Sequence, residues 1–121
     1  MRSGSQVYKS VARQTSSPRE LEATLLLQAA AQLQSVRDAW EQKRGDLDDA
    51  LRYNRRLWSV FLSEVTDSKN PMPKAIRQNV ANIGLFVMNQ TVAVMNNPQP
   101  QLLGSLISIN REIAAGLLGR A

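Results

Sequence analysis

The sequence predicts an all-α fold, an antiparallel bundle of four long helices preceded by a short N-terminal helix. Three observations predict it. Apolar residues recur at i, i+3, i+4 and i+7 over four long stretches. Helix start and stop signals bracket those stretches, with prolines or a glycine at the breaks. The links between them are short, which favours antiparallel neighbours. The 121 residues suit one domain spanning the whole chain, with residues 1–5 read as a disordered start or a tag remnant.

Gln6 to Arg13 places Val7, Tyr8, Val11 and Ala12 at helical spacing. The segment is too short to be stable alone and is expected to dock on the body. Ser17, Pro18 and Glu20 then agree on a helix start, with Ser17 as N-cap, Pro18 in the first position and Glu20 closing a capping box. This helix is expected to run to about Lys43. Leu21, Leu25, Ala29, Leu33, Val36 and Trp40 form its inner stripe, broadened by Leu26, Leu27 and Ala30.

Lys43-Arg44-Gly45-Asp46 reads as a tight junction, with Gly45 in a left-handed C′ position and Asp46 capping the next helix. Asp48 and Asp49 suit its positive end. That helix runs from about Leu47 to Val65. Leu47, Leu51, Asn54, Trp58, Phe61 and Val65 share one face, so Asn54 is expected to make a core hydrogen bond or set the register. Arg52 and Arg56 repel each other unless Glu41, Asp48 or Asp49 lies between them.

Thr66 to Met72 is a loop, and Pro73 opens the next helix, which ends near Asn96. Ile76, Val80, Ile83 and Val87 give it an inner face; Leu85, Phe86 and Met88 widen that face until little is polar. A helix apolar on most sides is expected at the centre of the bundle. Ala81 and Gly84 offer a flat patch for a close neighbour. Asn97-Pro98-Gln99-Pro100 breaks the chain again before a last helix to about Leu118. Leu103, Leu106, Ile109, Asn110, Ile113 and Leu117 make its stripe, and Gly119 suits its C-cap. Gly104 and Gly116 weaken it, so it is expected to be the most displaceable helix.

The chemistry is narrow. Without cysteine there is no thiol chemistry, and a reducing, cytoplasmic setting is expected; without histidine the commonest general base and metal ligand are missing. No apolar run approaches the roughly 20 residues that span a bilayer, so membrane insertion is not expected. No phosphate-binding loop or metal-ligand spacing occurs. The chain is therefore read as a non-enzyme with no cofactor and no metal. The net charge of +5, from 15 basic and 10 acidic residues, is mild and scattered, and direct RNA binding is disfavoured. Wide apolar faces threaded with amides suit the docking of a partner helix.

Four blocks carry a resemblance. YKSVARQTSSPRELEATLL from Tyr8, YNRRLWSVFLSEV from Tyr53, NPMPKAIRQNVANIGLFV from Asn70 and SLISINREIAAGL from Ser105 resemble the FlaF family of alphaproteobacterial flagellar regulators. The resemblance implies a non-enzymatic role in flagellum assembly. FlaF-like proteins promote flagellin production and act with flagellin as a secretion chaperone or regulator, opposite FlbT, which restrains flagellin synthesis at the messenger. The implied partner is an amphipathic terminal segment of flagellin, with FlbT or the export apparatus as further partners. The alternative is an adaptor or post-transcriptional regulator acting through FlbT or flagellin mRNA.

Residue type and position, not the family, supply the candidate flagellin-binding residues. They are Arg13, Gln14 and Arg19; Tyr53, Asn54, Arg55 and Arg56; Arg77, Gln78, Asn79 and Asn82; and Asn110 and Arg111. Each could instead bond the chain's own helices, and for the asparagines that internal role is preferred.

Overall fold

The computed structural model describes residues 17–119, and every regular element among them is helical. The first, α1, spans Pro18–Asp38. The Ser17 hydroxyl accepts the Glu20 backbone N–H at 3.1 Å, so the expected cap forms. The short segment at Gln6–Arg13 lies outside the described residues. Leu21, Leu25, Leu26, Ala29, Ala30, Leu33 and Val36 turn inward. Leu27, expected to broaden that face, is exposed, because its place on the wheel is nearly opposite Leu25.

The helix does not continue unbroken to Lys43. Ala39 leaves the helical region at φ −126°, ψ 49°. A single turn, α2 (Trp40–Lys43), and a 3₁₀ turn at Arg44–Asp46 lead into α3 (Leu47–Thr66). Two expectations are corrected here. Gly45 sits inside the 3₁₀ turn, not in a left-handed cap; Gly119, at φ 71°, is the positive-φ glycine among the described residues. Asp46 stands at the N-cap of α3 but makes no side-chain cap bond. A junction wound through a 3₁₀ turn needs no left-handed residue.

On α3 the six inward positions are all buried, as the spacing predicts. Trp58 is fully enclosed, its ring edge-on to Phe61 at 5.6 Å. Pro73 precedes α4 (Lys74–Asn96), and a 3₁₀ turn at Pro100–Leu103 precedes α5 (Gly104–Leu117).

The arrangement of these helices overturns two further expectations. The central helix is α1, which packs along both α5 and α3, while α4 rests chiefly on α3. The helix that reads as apolar on most sides is thus peripheral. Only Gly84, Val87, Thr91 and Val94 of α4 are buried, with Val80, Ile83 and Met88 partly covered. The helix α5 is not loosely held: it makes the most extensive contact with α1 and buries Leu106, Ile107, Asn110 and Ala114. Its two glycines lie at or near its ends, where they interrupt little. Its inner face is rotated from the expected stripe, with Ile109, Ile113 and Leu117 only partly buried.

Candidate interaction site

A buried polar cluster ties the three packed helices together. Trp58 Nε1 donates to Asn110 Oδ1 at 2.9 Å, and Asn110 Nδ2 donates to Asn54 Oδ1 at 2.6 Å and to the Leu26 carbonyl at 3.4 Å. All three polar side chains are fully buried, so each needs such a partner. Asn54 and Asn110 therefore serve the core, which is the preferred role for them. Within this cluster, Asn54 Nδ2 is the one donor that finds no acceptor.

The remaining candidates divide between internal work and open surface. Arg13 and Gln14 lie outside the described residues. Arg111 donates to Gln34 Oε1, tying α5 to α1. Half-buried Tyr53 donates to Gln28 Oε1 at 3.4 Å, and burial raises its phenol above the ordinary value. Arg77 donates to the Asp67 and Met72 carbonyls at 3.3 and 3.2 Å, fastening the loop between α3 and α4. Arg19, Arg55 and Arg56 are exposed; their neighbour Arg52 pairs with Asp48 at 3.2 Å, one of the acidic partners expected. Gln78, Asn79 and Asn82 are exposed on α4, where Gln78 donates to Asn82 at 3.0 Å.

Those last three border a surface that sequence reasoning misassigned. Leu85 and Phe86, expected to widen an inner face, are 57% and 46% exposed, and Val92 is 52% exposed. Helical geometry explains the difference. Val87 and Val94 share the inward side, whereas Leu85 and Val92 lie roughly 160° further round. Asn89 and Asn96 are exposed in the same strip. No ionisable side chain occurs anywhere from Gln78 to Asn110, so the whole outer face beyond Arg77 is neutral. Surfaces facing only water normally mix charges of both signs. Depletion of charge around exposed aliphatic and aromatic side chains marks an interface core. The missing signal was available in the sequence as that uncharged run.

The fold and this surface define a small all-α protein with an outward, neutral helix face. It has no metal-binding group of three or more acidic, histidine or cysteine side chains among its described residues, and no described helix is long and apolar enough to cross a membrane. Within that class, the chain belongs to the FlaF family: the family model described as "Flagellar protein FlaF" matches residues 4–117. No curated protein and no solved structure matches the chain.

Proposed function

We propose that this flagellar protein is a non-enzymatic assembly factor that holds an amphipathic terminal segment of flagellin before export and so promotes flagellin synthesis. The observation that carries the reading is the neutral outer face of α4, where Leu85, Phe86 and Val92 stand exposed among Gln78, Asn79 and Asn82. An amphipathic segment lays its apolar side on such a surface, and the amides interspersed along the strip pair with polar groups of the segment. Ordering that segment on binding costs about 2–5 kcal/mol, which keeps the affinity moderate and the cargo releasable. Action before export places the protein in the cytoplasm.

The messenger-binding alternative draws less support. Arg55 and Arg56 are exposed, but Trp58 beside them is wholly buried and offers no base a stacking surface.

Calorimetry against monomeric flagellin, full-length and lacking either terminal segment, tests the proposal. Saturable one-to-one binding, lost with one terminus, is the expected result. In the paired variant Leu85→Lys/Val92→Lys, affinity should fall at least tenfold with the thermal midpoint little changed. No heat with any form of flagellin overturns the reading and turns attention to FlbT.

A further inference from the structure

We infer that the outer face of α4 is also the seam of a parallel dimer, in which a second copy of this chain covers it. Asn82, Asn89 and Asn96 recur every seven residues, and so do Gln78, Leu85 and Val92. Together they alternate in steps of four and three, the spacing of a coiled-coil seam, with asparagine at a and Gln78, Leu85 and Val92 at d. All six side chains are exposed. The chain's own core takes the opposite side of the helix through Val87 and Val94, so pairing requires no repacking.

Charge and hydrogen bonding select the occupant. The chain carries a net charge of +5, and identical charged faces repel each other. This face has no charge. An asparagine amide both donates and accepts, so it pairs with a copy of itself, whereas burying it against an aliphatic group costs free energy. Antiparallel pairing brings a positions opposite d positions and sets asparagines against Leu85 and Val92. Parallel pairing in register sets each asparagine on its twin, Leu85 on Leu85 and Val92 on Val92. Only an identical chain supplies that match at every layer.

The strip is about 27 Å long from Gln78 to Asn96 and one helix wide, the low end for a specific interface. Three amides in the seam weaken it further. The dimer is accordingly reversible, and its two-fold symmetry closes at two copies. Because the seam is the surface proposed above for flagellin, and on that reading, a flagellin segment must displace the second copy to bind.

The absence of cysteine makes a clean test possible. Asn89→Cys places two thiols across one a layer, within the 4.4–6.8 Å Cα separation of a disulfide. Mild oxidation should link this variant between copies, while Ser59→Cys on α3 should stay unlinked. Sedimentation equilibrium of the unmodified chain should show a concentration-dependent dimer, lost in Leu85→Lys/Val92→Lys. A monomer at every concentration with no Asn89→Cys product overturns the inference. Efficient linking of Asn82→Cys to Val92→Cys in a mixture, in place of Asn89→Cys, overturns the parallel register. Flagellin added before oxidation should suppress the Asn89→Cys product; a dimer that persists while flagellin is bound overturns the shared seam. A dimer with no flagellin binding at all would leave the seam standing and remove the proposed function.

Discussion

Asn110 holds two other buried groups in place, and its removal should be costly beyond its size. Asn110→Leu would leave the Trp58 indole N–H and the Asn54 carbonyl oxygen without partners in the core. A loss of about 2–4 kcal/mol is expected, read as a lowered urea midpoint. Glu22 makes the opposite case. Burial raises its pKa above the ordinary 4.5, repulsion from Glu64 raises it further, and Arg19 partly offsets both. A carboxyl raised by folding binds its proton more tightly in the native state, so stability falls as pH rises through the shifted range. Glu22→Gln should therefore stabilise the protein at neutral pH, with the advantage shrinking as pH falls through the raised pKa towards 4.5 and essentially gone below it; denaturant midpoints at several pH values check it. The sequence placed Asn54, Asn110 and Trp58 in the core because helical spacing fixes which side chains share a face. It did not reveal that they bond to one another, since that depends on how α3 and α5 meet across α1.

Among the helices, α4 departs furthest from the sequence reading. Apolar residues on most sides look alike whether a helix is enclosed by its own chain or faces a partner, and periodicity cannot separate the two. What distinguishes them is exposure, which only the packing of α4 on α3 decides. That packing depends on Gly84. A Cβ there would lie 2.5 Å from Leu62 Cδ2 and 2.8 Å from its Cγ, closer than atoms tolerate. Alanine gains about 1 kcal/mol in helix propensity, but crowding of this kind costs about 1–3 kcal/mol. Gly84→Ala is expected to destabilise slightly or break even, not to stabilise. In a Leu62→Ala background the same change should become stabilising, and a double-mutant cycle of chemical denaturation measures the coupling. The reading of Ala81 and Gly84 as a contact patch was sound for Gly84. The glycines of α5 do not make it the loosest helix, because its burial against α1 outweighs their low helix propensity.

For the molecule as a whole, charge is distributed unevenly. Every ionisable group lies before Gln78 or after Asn110, so the net +5 belongs to the rest of the chain. Binding through the neutral face of α4 should therefore depend weakly on salt. Flagellin affinity measured between low and high ionic strength should change by less than about threefold, whereas contact with several RNA phosphates would lose orders of magnitude. A steep salt dependence would point to the arginines of α3 instead. The all-α class and the positions of the long helices were legible in the sequence because spacing and punctuation encode them locally. Which helix is central was not, since it follows from long-range contacts.

The attachment of α4 to α3 has a kinetic consequence. A helix fastened along one side, with few enclosed side chains, can detach while the others remain assembled. Its amide hydrogens would then exchange with solvent well before those of α1. In the proposed carrier role, a cargo riding on such a leaf would be shed by a brief local opening of α4 while the rest of the bundle stays assembled.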